Sequence, residues 1–173
     1  MKRSLALTLA AVAATALGPV AAAPAAGGPS RTLAASYAAR TYVQDAGLGK
    51  RHFELVGAKA TARGSDGSTI TAYGVVLADS GDGTGQAVLL FRGTRFLGWA
   101  AGEDTLHLRV TGSGHAISVR YGSYRGNDPF CCPSSTKTVH YRYRGGKIVA
   151  DAKPPLIYGR HGSKLHLENA PLR

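Results

Sequence analysis

Between His52 and Ala150 apolar residues recur at every second position in short runs, and Gly, Ser or Asp closes the runs. A period of two is the repeat of a β-strand, whose successive side chains point to opposite faces. The pattern predicts strands near His52–Ala62, Thr69–Ala78, Gln86–Arg92, Arg95–Ala100, Leu106–Val110, Ala116–Tyr121, Thr136–Arg144 and Lys147–Ala150. Val88-Leu89-Leu90 is apolar on both faces. That strand belongs at the centre of a sheet, with a helix or a second layer over it. Gly145-Gly146 is a two-residue hairpin signal, and Arg92-Gly93-Thr94-Arg95 reads as a second tight reversal.

Ahead of the strands, Thr32 can cap a helix over about Leu33 to Asp45, with Leu33, Tyr37 and Thr41 or Tyr42 on one face. Gly47 and Gly49 end it. From Lys153 onward periodicity fades, leaving a loop or tail with a weak strand at Lys164–Leu167. The expected fold class is α+β: an N-terminal helix packed on a curved, mostly antiparallel sheet of about six to eight strands.

The N-terminus reads as an export address. Lys2 and Arg3 form a short positive region, Leu5 to Leu17 is apolar, Gly18-Pro19 breaks the run, and Ala23-Pro24-Ala25 offers a small-residue cleavage site. The apolar run is shorter than the roughly 20 residues of a membrane span. The expected organisation is a signal peptide over 1–25, a linker over 26–31, a single domain over 32–158 and a tail over 159–173. The protein is expected to be secreted. Loss of the signal peptide leaves 148 of the 173 residues and, with Lys2 and Arg3 gone, takes the formal charge from +11 to +9. Such a charge speaks of partners rather than fold. Outside a cell the available polyanions are cell-wall polymers, acidic polysaccharides, lipid head groups and nucleic acid; the alternative is a generally basic, solvated surface.

Alternation sorts the cations. Leu106, Leu108 and Val110 oppose His107 and Arg109. Ile117, Val119 and Tyr121 oppose Ser118 and Arg120. Val139, Tyr141 and Tyr143 oppose His140, Arg142 and Arg144. If these sequential strands are neighbours, His107, Arg109, Arg120, His140, Arg142 and Arg144 merge into one cationic face, the candidate binding site.

The cysteines are two and adjacent, Cys131-Cys132, followed by Pro133. A trans peptide holds neighbouring Cα atoms about 3.8 Å apart, below the usual disulfide range of about 4.4–6.8 Å. A bond between them closes no long loop of the unfolded chain and would be strained and unusually reducible. It would shape a recognition loop or sense redox state. The alternatives are two free thiols or a bridge between chains.

Other chemistry is sparse. Asp79-Ser80-Gly81-Asp82-Gly83-Thr84-Gly85 lacks the later acidic positions of a calcium loop and reads as a turn. The six histidines are dispersed, and no pair shows His-x-x-x-His or Cys-x-x-Cys spacing. There is no Gly-x-Ser-x-Gly elbow and no Gly-Lys-Ser/Thr phosphate loop. Glu54, Glu103, His107 and His140 carry groups a nuclease would use, without a spacing that gathers them. No catalytic residue, metal site or cofactor is expected.

Two stretches are family-like: Ala87-Val88-Leu89-Leu90-Phe91-Arg92-Gly93-Thr94-Arg95-Phe96-Leu97-Gly98, and Val119-Arg120-Tyr121 through Asp128-Pro129-Phe130-Cys131-Cys132-Pro133-Ser134 to Val139-His140-Tyr141-Arg142-Tyr143. Over roughly Ala78 to Pro155 the chain resembles the LppP/LprE family of actinobacterial exported proteins. The resemblance implies an envelope or extracellular domain and supplies no catalytic residues. Many members look like lipoproteins; this chain has no lipobox cysteine after its apolar run. The expected function is a secreted or cell-wall-associated, non-enzymatic binding domain for an anionic polymer: a cell-wall polymer, a polysaccharide or nucleic acid. The alternatives are a small basic hydrolase of nuclease type and a vicinal-disulfide redox sensor.

Overall fold

Strands dominate the described residues, and they form two sheets rather than one. In the computed structural model, which describes residues 27–45, 47, 49–81, 85–100, 108–129, 131–155 and 165–168, a single helix α1 (Arg31–Arg40) is followed by β1 (Thr41–Asp45), β2 (Gly49–Arg63), β3 (Thr69–Leu77), β4 (Gln86–Arg92) and β5 (Arg95–Trp99). Then come β6 (Arg109–Ser113), β7 (Ala116–Ser123), β8 (Ser135–Arg144), β9 (Lys147–Ala150) and β10 (Leu165–Leu167). One sheet has six strands in the order β10-β1-β2-β3-β4-β5; the other has four in the order β6-β7-β8-β9. Every pairing is antiparallel. The expected single sheet of about six to eight strands is therefore corrected, and the helix is a minor part of a mainly β fold.

The division follows from β4. Its burial on both faces demands cover on both. On one side Ala87, Leu89 and Phe91 join Tyr73, Val75 and Leu77 beneath α1. Ala34 and Ala38 of the helix are fully buried, and their small side chains let it approach closely. Tyr37 packs on Phe91 at 5.4 Å and on Phe96 at 5.0 Å. On the other side Ala60, Ile70, Ala72, Val88 and Leu90 meet the inner face of the four-stranded sheet, Ile117, Val119, Tyr121, Val139, Tyr141 and Tyr143.

The helix starts and stops earlier than its sequence suggests. Ser30, not Thr32, is the N-cap, its Oγ accepting from Leu33 N at 3.1 Å. The chain turns extended at Thr41, whose Oγ1 donates to the Tyr37 carbonyl at 2.8 Å. Thr41–Asp45 then pairs with both β2 and β10. The ladder bonds to two neighbours outweigh one more helical turn, and β-branched Thr41 and Val43 favour the strand. The Gly28–Ser30 stretch packs against the sheet: Tyr73 Oη donates to the Pro29 carbonyl at 3.0 Å.

The two sheets meet along one side. Arg63 N donates to Gly114 O at 2.8 Å and Ser65 N to Tyr143 O at 3.2 Å, so the assembly curls like a half-barrel. A bulge between Val56 and Lys59 bends β2 there. Across the interior, Tyr121 Oη donates to the Ala100 carbonyl and lies 2.7 Å from Tyr141 Oη. Burial pushes both phenols above their ordinary range.

Candidate functional site

The four-stranded sheet is a meander with tight turns. Gly145 and Gly146 both adopt positive φ (56° and 84°) at the β8–β9 turn, the conformation of a type I′ hairpin. Register then decides what each face carries. Arg109 stands opposite Arg120, Ser118 opposite His140, and Arg120 also opposite Thr138. Arg142 stands opposite Val149 and Arg144 opposite Lys147. Residues paired across strands share a face, and Ile117, Val119, Tyr121, Val139, Tyr141 and Tyr143 fill the core. Arg109, Arg120, His140, Arg142 and Arg144 therefore share the outward face. His107 lies outside the described residues. Of the strand expected at Leu106–Val110, Leu106 and His107 lie outside the described residues; the described strand runs over Arg109–Ser113, its frame set by the pairing of Val110 with Val119 and Ser113 with Ala116.

Two members of the face escaped the sequence reading. Lys147 joins the cations across from Arg144. Asp151, just past β9, brings a carboxylate: its Oδ1 accepts from His140 N at 2.9 Å, and its Oδ2 lies 3.9 Å from Arg142 Nη1. The hairpin signal Gly145-Gly146, which sets Lys147 across from Arg144, was the available clue to it. Asp151 carried no clue, since its partners come from β8.

Arg109 with Arg120, and Arg144 with Lys147, are like charges directly opposite. Such pairs cost the fold a few tenths to about 1 kcal/mol each. Among the described residues none of the four has an acidic partner within 4.0 Å. Arg109, Arg120, Arg144 and Lys147 are exposed; His140 and Arg142 are half-buried. A hollow of about 170 Å³ opens between Arg142, Arg144, Val149, Ala150 and Asp151, and Val149 is 42% exposed within it.

Between the cation pairs, Ser118 Oγ lies 2.8 Å from His140 Nδ1. A nucleophile and base at this distance are the first half of a catalytic arrangement. The second half, a group orienting the ring, is not met among the described residues: Asp151 bonds the main-chain N–H of His140, not its imidazole. No group of three His, Cys, Asp or Glu among the described residues could hold a metal ion.

The loop from β7 to β8 carries the cysteines at one end of this face. Cys131 and Cys132 form a disulfide with Cα atoms 3.8 Å apart, and both residues are exposed. Asp128, for which the sequence suggests no role of its own, ties the loop together. Its Oδ2 accepts from Arg125 N at 2.7 Å and from Ser134 N at 2.9 Å. These main-chain donors hold its carboxyl below the ordinary range. Cys132 N donates to the Pro129 carbonyl at 2.9 Å, adding a turn inside the clamp.

The class defined by these features is a mainly β, two-sheet domain with one covering helix, a basic outer sheet face and a vicinal-disulfide loop. The family model of the LppP/LprE lipoproteins matches residues 66–146, a span from the β2–β3 turn through the cysteine loop to the β8–β9 hairpin. The resemblance drawn from the motifs and the family match thus agree. No curated protein and no solved structure matches the chain.

Proposed function

We propose that this chain is an exported, non-enzymatic binding domain that holds an anionic polymer on the outward face of its four-stranded sheet. One observation supports the reading most: Arg109, Arg120, Arg142, Arg144 and Lys147 share that face with a single described carboxylate, Asp151. Like charges kept opposite one another at a cost to the fold are intelligible if an anion neutralises them. Arginine suits the task, because its planar fork meets phosphate or carboxylate with two parallel bonds. Export is supported by the lipoprotein family match, and no helix among the described residues is long and apolar enough to cross a membrane. Release into the medium with a mature N-terminus near Ala26 is the finer form of this reading, checked by N-terminal sequencing.

The test is binding of purified protein to a soluble polyanion, with Arg120→Ala/Arg142→Ala as the variant. Affinity falls by at least about tenfold, because charge-assisted contacts contribute about 1.5–3 kcal/mol each, while the melting temperature holds. The Ser118–His140 contact favours one competing reading, a small hydrolase. Turnover of RNA, DNA or esters that is lost in His140→Ala would replace the binding reading with that one.

A further inference from the structure

Resting on the polyanion reading, we propose that the ligand is an extended, linear phosphate chain read through charge and spacing, not through bases or sugar rings. The length comes from register. Arg109 and Arg120 lie level with Thr138, whereas Arg144 and Lys147 lie level with each other six residues farther along β8. At about 3.3 Å per residue the two cation pairs stand about 20 Å apart along the strands. Arg142 and the Ser118–His140 pair lie between them. A single phosphate reaches one pair only; a chain spanning both converts its second contact into an intramolecular one.

The chemistry comes from what the face lacks. Single-stranded nucleic acids bind by stacking bases on aromatic side chains. Here Tyr121, Tyr141 and Tyr143 all point into the core and are buried. The outward positions of the described strands carry Arg, Lys, His, Ser, Thr, Gly, Ala116 and Val149 instead. Hydroxyls of Thr111, Ser118 and Thr138 line the path between cations. Such a surface offers charge and hydrogen bonds to phosphate oxygens and, at its described strand positions, no Phe, Tyr or Trp ring for a base to stack on. Polyphosphate and poly(polyol phosphate) share this chemistry.

The experiment measures affinity for long-chain inorganic polyphosphate, pyrophosphate, glycerol phosphate, poly(U) and poly(A). The proteins are the full exported chain, Arg109→Ala/Arg120→Ala and Arg144→Ala/Lys147→Ala. Long polyphosphate binds about a hundredfold tighter than pyrophosphate, as linked contacts allow. Removing either pair collapses most of that preference, and both variants melt no lower than the parent, since each relieves a repulsion. Glycerol phosphate binds as weakly as pyrophosphate. Should either alanine variant fail to fold, the glutamine versions replace it. Equal affinity for long polyphosphate and pyrophosphate, with one pair alone responsible, overturns the extended-chain inference and leaves the basic face intact. Discrimination between poly(U) and poly(A) at higher affinity than polyphosphate also overturns it, because bases would then be read. Absence of binding to every polyanion brings down the proposed function itself.

Discussion

Asp128 holds the cysteine loop by accepting two main-chain hydrogen bonds, from Arg125 and Ser134, on one carboxylate oxygen. These donors favour the ionised form, so its folded pKa lies below the ordinary 3.8. A carboxylate with a depressed folded pKa stabilises the fold fully above its unfolded pKa and loses that contribution as pH falls through the folded value. The clamp is therefore complete at neutral pH and weakens only below about 3.8. In an NMR titration the Arg125 and Ser134 amide resonances should move together with a midpoint under that value. A shared midpoint above it would contradict the clamp. Cys131→Ser/Cys132→Ser should fold, since the disulfide closes no long loop and Asp128 still ties the ends. A melting temperature lowered by more than about 4 °C, roughly 1 kcal/mol in a domain of this size, would show that the disulfide carries more than the loop. The cysteine pair was legible because adjacency is visible in the sequence. Asp128 and Asp151 were not, because their partners gather only once a loop closes or a hairpin register is set.

Elements were legible wherever an apolar run was bounded by clear turn residues. Gln86–Arg92 and Lys147–Ala150 keep their expected bounds, and Gly145-Gly146 turns as its residues require. The frame slipped at β6, where Val110-Thr111-Gly112-Ser113 carries little apolar signal. Pairing with β7, not local sequence, positions it. The end of α1 slipped for a related reason: alanines favour helix locally, but two waiting strands take Thr41–Asp45. Gly112 marks where β6 crowds β2. A Cβ there would sit 2.6 Å from the carbonyl carbon of Thr61, a main-chain atom that cannot swing aside. Gly112→Ala should therefore destabilise the domain by about 1–3 kcal/mol, the usual cost of overpacking, read as a lower denaturant midpoint. Val149→Ala, on the exposed face, should stay within about 0.5 kcal/mol of the parent. Equal midpoints for the two variants would show that the sheets do not meet as described.

At the scale of the molecule, two-sided burial of β4 forces a layer on each side, yet the sequence did not say that the second layer is a sheet of its own. Sequential strands were expected to be neighbours, and the pairing of β6 to β9 puts Arg109, Arg120, His140, Arg142 and Arg144 on one face, because period two decides which side chains share a face; His107 lies outside the described residues. The matched family span from Asp66 to Gly146 includes Arg109, Arg120, His140, Arg142 and Arg144 as well as the cysteine loop. The most direct test of the proposed binding face is the salt dependence of polyphosphate affinity in the parent and in Arg120→Ala/Arg142→Ala. Counterion release makes log affinity fall linearly with log salt, by about 0.7–0.9 per neutralised phosphate. The parent should show a steep slope, and the variant a slope shallower by about 1.4–1.8, two contacts fewer. Identical slopes in the two proteins would contradict the assignment of this sheet face as the binding surface.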